Sequence, residues 1–463
     1  VAAYARPRAC VYRAPMLASS LLVVSAIVAQ APAAGVPLFN GIDLTGWVNV
    51  NTGPATWTVG KDSDGTPVIV CSGHPTGVLR TEKMYENFIV EFDYSHREPK
   101  TNAGFFVWSD AITAPGQPFT RSIEVQVMDG IEAKESIKGP NGEKEEIIYT
   151  SHGDVFSIHG ARMKPDRPHP AGWERCLPLE RRAKPAPEWN HYKITGDHGT
   201  LKLEVNGKEV SGGYDITPRK GYLCLESEGG EVWFKNLKIT ELPPASPALA
   251  PEMVATSDVG FRSIFNGTDL TGWKQDGDAA KHWTVKDWIL SYDGKGSTLW
   301  SEESFGDFEM VVDWRWTGED QGKIRRPKFA PDGSDLKDAN GAVETVEIGE
   351  RDSGIFLRGN DKSQVNIWAW PAGSGEVWGY RTDASMPPEV RAAVTPKKNA
   401  DKPIGSWNRF LIRMKGDVLN VWLNGEHVIV DATLPGVPSR GPIALQHHGS
   451  SIDFANVYVR ELK

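Results

Sequence analysis

The 463-residue sequence has little cysteine, no excess of basic charge and no long apolar run beyond its amino terminus. Lys and Arg number 51 against 60 Asp and Glu, a net charge of −9, so no positive field exists to hold a polyanion and nucleic acid is excluded as a partner. No run after residue 29 reaches the roughly 18 consecutive apolar residues of a membrane span. No stretch of a dozen residues has helical periodicity, which argues against a helical or α/β domain. Glycine-rich phosphate loops, CxxC pairs, HExxH and GxSxG are also missing, so nucleotide-dependent, zinc and serine-esterase chemistries have no support. Of the four cysteines, Cys10 precedes an apolar run, leaving Cys71, Cys176 and Cys224. Three thiols form at most one disulfide and equally suit buried free cysteines.

What is present begins with a targeting signal. Leu17 to Ala29 is an apolar run of signal-peptide length, preceded by Arg6, Arg8 and Arg13 and followed by two small-x-small patterns, Ala29-Gln30-Ala31 and Ala31-Pro32-Ala33. Residues 1–34 are therefore expected to be a signal peptide with an upstream extension, and the mature protein to be exported to the periplasm or the medium.

The rest is a duplication. FNGIDLTGW at Phe39–Trp47 recurs as FNGTDLTGW at Phe265–Trp273, and only Ile42 and Thr268 differ. The later landmarks keep their order: FIVEFDY answers FEMVVDW, NAGFFV answers DSGIFL, EWN answers SWN, VNG answers LNG, and FKNLKITEL answers FANVYVREL. A period of about 220 residues is far longer than a solenoid repeat, so the copies are whole domains, 36–242 and 259–463. The proline-rich stretch 243–258 reads as an extended linker between them. Each copy alternates β-branched and aromatic residues, and Asn206-Gly207 and Asn424-Gly425 are hairpin signals. The expectation is an all-β fold of two jelly-roll sandwiches. With 17 Trp, most indoles would pack cores and a few could stack on sugar rings.

FNGxDLTGW, SGIFLRG (Ser353–Gly359), SQVNIW (Ser363–Trp368), GSGEVWGYRTD (Gly373–Asp383) and GPIALQHHG (Gly441–Gly449) together resemble the 3-keto-disaccharide hydrolase family. The second copy matches this pattern nearly end to end and the first more loosely. The resemblance implies a concanavalin A-like jelly roll and action on glycosides whose C3 hydroxyl is oxidised to a ketone. Such a ketone acidifies the C2 proton, so one general base suffices to start expulsion of the group at C1. An electrophile and a proton donor complete the set, and a divalent cation could serve as the electrophile.

In the second copy, matching onto the closing motif selects Gln446 and His448, with Glu376 as the carboxylate, as the catalytic set. Arg381, Tyr380, Arg358 and Trp368 are candidates for substrate binding. Asp352 and Arg358 flank one strand and read best as a structural ion pair. The insertion Gly318–Arg351, which carries Lys323, Arg325, Arg326 and Lys328, is expected to be a flap over the site. In the first copy Glu226 and Glu228 stand where Gln446 and His448 do, and the histidine is lost. Glu124 and Gln126 share one face of a strand as further substrate contacts, a spacing similar to the carboxylate strand of retaining glycosidases. Glu124, His152 and Asp154 are candidate ligands for a metal. The partner in every case is a carbohydrate, either cleaved or, in the alternative reading, bound by a non-catalytic tandem lectin. The unequal polar sets of the two copies favour specialisation over a pure lectin.

Overall fold

The computed structural model describes residues 35–129, 132–139, 141–257, 260–330 and 332–463. The proposed signal segment lies outside them. Strands dominate each repeat, and helix among the described residues is confined to Ala279–His282, Trp378–Arg381, Pro388–Ala393 and one 3-10 turn. No helix among them is long and apolar enough to cross a membrane.

Each repeat is a jelly-roll sandwich of two antiparallel sheets. In the first repeat a nine-stranded back sheet is centred on Asn190–Asp197, Phe88–His96 and Val232–Glu241. Its seven-stranded front sheet runs through Val155–Ile158, Ser122–Met128, Asn102–Ser109, Tyr222–Ser227 and Gly77–Thr81. The second repeat has an eight-stranded back sheet centred on Ile452–Glu461, Phe308–Trp316 and Asn408–Lys415, and a five-stranded front sheet. That front sheet ends in Leu299–Phe305, Gly441–Leu445, Asp352–Leu357 and Asn360–Trp368. Period-two alternation sets these faces. Tyr192 and Ile194 point into the first core while His191 and Lys193 point outward. The hairpin turns Asn206-Gly207 and Asn424-Gly425 all take positive φ, the conformation a two-residue hairpin demands. Each buried aromatic, such as Phe92 stacked on Phe105 at 4.8 Å, contributes about 1.5–3 kcal/mol of burial. Cys71, Cys176 and Cys224 are free and buried.

The two sandwiches stack front to back within one compact unit. Val78, Phe106 and Cys224, on the outward side of the first front sheet, cluster with Val311 and Tyr458 on the outward side of the second back sheet. A first-repeat loop locks this stack. Ala114, Pro115, Gly116 and Gln117 form a turn in which the Gln117 N–H donates to the Ala114 carbonyl at 3.1 Å and Gly116 has φ +70. Its backbone is read by three second-repeat side chains. The Gly116 N–H donates to Asp313 Oδ2 at 2.8 Å, Arg409 Nη1 donates to the Thr113 carbonyl at 2.8 Å, and Asn456 Nδ2 donates to the Gln117 carbonyl at 2.8 Å. Residues 243–257, read from sequence as a spacer, lie along the first repeat. Asn87 Nδ2 donates to the Pro243 carbonyl at 2.6 Å, the Ala245 N–H donates to Glu86 at 2.6 Å, and Lys220 bridges to Val254.

A Cβ on Gly116 would sit 2.3 Å from the Trp407 ring, and the positive φ disfavours any side chain. Gly116→Val is expected to destabilise the stack by about 2–4 kcal/mol and to split thermal unfolding into two transitions by calorimetry. A single unshifted transition would count against the turn as the lock.

Candidate functional site

The outward face of the second front sheet is open and carries a pocket of about 300 Å3. Alternation along Asn360–Trp368 sends Val365 and Ile367 into the core and presents Gln364, Asn366 and Trp368 to the pocket. Asp352, Gln446 and His448 complete the polar wall, Trp370 and Trp378 the aromatic one, and Arg326 enters from the insertion. That insertion folds as the hairpin Lys323–Pro327 with Thr345–Gly349. Trp368 and Trp370 stack at 4.1 Å, the Arg326 guanidinium lies 4.2 Å above Trp370, and Glu350 pairs with Arg326. Trp378 is 49% exposed, and the Trp370 indole N–H has no acceptor among the described residues. Flat aromatic surface beside convergent amides and charges suits a sugar ring, which has apolar faces and a hydroxylated rim.

His448 Nδ1 stands 3.7 Å from Asp352 Oδ2. Burial drives the Asp352 carboxyl up to about 6, and the nearby His448 and Arg326 only partly offset it. Gln364 Nε2 donates to Gln446 Oε1 at 2.6 Å, which fixes both amides across the sheet. The strand Gly441–Leu445 stops one residue before Gln446, so Gln446 and His448 reach the pocket from a loop rather than from one strand face. His447 turns away to Thr298, with Nδ1 at 2.6 Å from its Oγ1.

Among the residues selected from sequence, the structure brings His448, Gln446 and Trp368 together. It does not place Glu376, Arg381, Tyr380 or Arg358 with them. Glu376 is fully buried at the edge of the front sheet, where its carbonyl accepts from the Asn366 N–H at 2.9 Å, and its carboxylate is paired with Arg381, whose guanidinium lies 4.0 Å above Phe329. The Tyr380 hydroxyl donates to the Pro435 carbonyl at 3.2 Å from within the core. Arg358 is not the partner of Asp352. It is bound to Asp307 at 2.8 Å and to the Gly306, Gly416 and Pro438 carbonyls. Sequence reasoning passed over Asp352, Gln364, Asn366, Arg326, Trp370 and Trp378 as site residues. The i, i+2 spacing of Gln364, Asn366 and Trp368 was the signal available for three side chains on one face.

The first repeat places Glu124, Gln126, Glu226, Asn102 and Glu228 at the positions of Gln364, Asn366, Gln446, Asp352 and His448, as the strand registers show. Here the face is covered, since the second repeat packs on Phe106 and Cys224 of the same sheet side. Glu124 and Glu226 are almost fully buried, and both carboxylates come within 3.0 Å of where a Cβ on Gly104 would be. Burial first, then repulsion from Glu228 on Glu124 and from Glu124 and Glu228 on Glu226, holds both well above the carboxylate range. Among the described residues Glu226 Oε2 has no donor. Glu228 is pushed up to about 7 by burial, with Asp287 of the second repeat adding to it against a hydrogen bond from Asn102. One shared proton would let Glu124 and Glu226 reproduce the amide contact of Gln364 and Gln446.

The side chains suggested as metal ligands are committed elsewhere. His152 Nδ1 lies 2.7 Å from the Met128 carbonyl and Nε2 lies 3.0 Å from the Tyr192 hydroxyl, and burial lowers the ring to about 4. Asp154 is locked to Arg175 at 2.7 Å. Glu124, His152 and Asp154 therefore do not fit a metal centre, and among the described residues no three His, Cys, Asp or Glu side chains are grouped to hold one.

Two stacked jelly rolls, one with a tryptophan-walled polar pocket, define the class as a tandem β-sandwich protein. The 3-keto-α-glucoside-1,2-lyase-like domain profile matches residues 35–240 and again 260–460, and the chain belongs to that carbohydrate-active family. No curated protein matches in sequence. Among solved structures, a candidate glycosyl hydrolase from Parabacteroides distasonis ATCC 8503 is 23% identical over 44% of this chain and 93% of its own, with TM-score 0.33. The carbohydrate binding module CBM66 from Bacillus subtilis is 14% identical over 42% of this chain and 96% of its own, with TM-score 0.26. A Bacillus licheniformis β-glucanase is 12% identical over 45% and 97%, with TM-score 0.25.

The buried acids bind protons more tightly folded than unfolded, so their stabilising effect is complete below the unfolded carboxylate value of about 4.3 and is lost as pH rises through the folded values. Glu226→Gln, which installs the second-repeat residue, is expected to raise stability at pH 8 by about 1–3 kcal/mol and to flatten its decline between pH 5 and 9. Urea unfolding across pH is the check, and a variant with an unaltered slope would refute the shared proton.

Proposed function

We propose that the second-repeat pocket binds a glycoside whose C3 hydroxyl is oxidised to a ketone and cleaves its C1–O bond by elimination. The observation that carries this reading is the Asp352–His448 pair on the wall of a tryptophan-lined pocket. Asp352, with a carboxyl near 6, is ionised at neutral pH and basic enough to take the C2 proton. The C2–H electrons pass into the enolate of the C3 carbonyl. They then return to form the C1=C2 bond as the C1–O bond breaks, and His448 protonates the departing oxygen. The Gln364, Gln446 and Asn366 amides and the Arg326 guanidinium supply hydrogen-bond donors for the ring oxygens and the developing enolate. Addition of water across C1=C2 would complete a net hydrolysis. Family membership supports the keto substrate, and the apolar run Leu17–Ala29 supports export of the mature chain.

A purely lectin-like role draws on the exposed Trp378 and the Trp368–Trp370 stack, which would hold a sugar without any reaction. The two readings separate on a chromogenic 3-keto-glucoside and its unoxidised parent. Release from the keto substrate alone is expected, falling about 100-fold or more in Asp352→Asn and in His448→Ala. The rate on the acid side should climb as pH passes about 6 and lose that rise in Asp352→Asn. Binding of the keto glycoside with no release in the wild type would leave the lectin.

A further inference from the structure

The side chains that read the Pro115-Gly116 turn have counterparts in the first repeat, on the outward side of its back sheet. Asp93 answers Asp313, His191 answers Arg409, Asn236 answers Asn456 and Trp189 answers Trp407, through the paired motifs FDY/VDW, WNH/WNR and FKN/FAN. The geometry repeats as well. Arg409 Nε donates to Asp313 Oδ1 at 2.6 Å and Asn456 Nδ2 to Oδ2 at 2.7 Å. His191 Nδ1 lies 2.7 Å from Asp93 Oδ1, and Asn236 Nδ2 donates to Asp93 Oδ2 at 2.6 Å. Asn236 and Asn456 share the left-handed conformation, φ +54 and +53, at the same break in strand register. In the second repeat this constellation is covered by the turn. In the first it faces a groove of about 570 Å3 lined also by Phe39, Asn40 and Pro67.

Front-to-back stacking of two homologous domains is a head-to-tail contact, which leaves one unused face of each kind at the ends of the series. The free front carries the pocket. Among the described residues, the free back carries Asp93, His191 and Asn236. The free front cannot supply the turn, because Asp352–Leu357 and Asn360–Trp368 are joined by Arg358-Gly359 alone, without a counterpart of the Asp110–Arg121 loop. The chain's own turn is held in cis on Asp313.

We propose that Asp93, His191 and Asn236 form a second turn receptor, which docks the Pro-Gly β-turn on the front face of a sandwich domain in a separate partner protein. Asp93 accepts the turn's glycine N–H, Asn236 donates to one flanking carbonyl, and His191, whose Nδ1 is held by Asp93, donates to the other through Nε2, which stands 3.6 Å from Glu91 Oε1 in the open receptor. In the occupied receptor the glycine is required because its φ is positive and Trp407 leaves no room for a Cβ, and the positive φ makes the same demand on a turn docked in the first repeat.

The probe is a peptide of residues 110–121, closed by a disulfide between added terminal cysteines and titrated into the full chain to about 1 mM, the range of a weak isolated contact. NMR of the His191 imidazole and the Asn236 amide reports occupancy. Saturable binding of one peptide per chain is expected, absent for a Gly116→Val peptide and weakened at least tenfold in Asp93→Asn. His191→Arg, which copies the occupied receptor, should tighten binding several-fold. Circular dichroism and thermal unfolding confirm that both variants fold. Binding that survives Asp93→Asn would overturn the proposal, as would binding seen only in His191→Arg or in neither protein. A homodimer abolished by Asp93→Asn would assign the receptor to a second copy of this chain and overturn the separate partner.

Discussion

The Asp313 carboxylate, with no exposed surface, is the constraint around which the two repeats are arranged. It is balanced by Arg409 from its own sheet and by the Gly116 N–H from the neighbouring repeat, so its charge is fully satisfied only when the sandwiches are stacked. Unstacking leaves Asp313 with Arg409 and Asn456 but takes away the Gly116 N–H, a hydrogen bond to a charged group of the kind that contributes about 1.5–3 kcal/mol. Thr113 and Tyr458, 3.0 Å apart at their hydroxyls, and the apolar cluster around Val311 extend the same contact.

Duplication produced two equivalent front faces, and stacking left only one of them open. On the covered face Gln364 and Gln446 are replaced by Glu124 and Glu226, whose carboxylates lie out of water and compete for protons. The open face keeps its amides and adds Asp352 and His448 beside three tryptophans. The insertion that brings Arg326 to this pocket belongs to the second repeat alone, where the first has the short connection 97–101 between Phe88–His96 and Asn102–Ser109. The open pocket and the buried contact face thus fall on different copies of one fold.

The repeat, the jelly-roll class and the hairpin turns were legible in the sequence because they rest on local signals, alternation and Asn-Gly pairs. Motif resemblance singled out Gln446, His448 and Trp368, and the structure places all three on the wall of one pocket. The burial of Glu376 was not legible, because a carboxylate in a glycine-rich segment looks exposed, whereas packing sets it against Arg381. Asp352 was assigned to Arg358 by closeness in sequence. The five residues between them carry a strand whose far end lies at Asp307, away from the pocket. The covering of the first front face had no local signature, since Phe106 and Cys224 look like ordinary strand residues until the second repeat is set against them.

The division between repeats is tested most directly by stoichiometry. Isothermal titration of the Asp352→Asn chain with methyl 3-keto-α-glucoside, a probe that the variant should bind without turnover, counts the open sugar faces. One molecule per chain, lost when Trp378→Ala is added, is the expected result. Two molecules per chain, or one that persists without Trp378, would place sugar binding on the covered face and contradict the division.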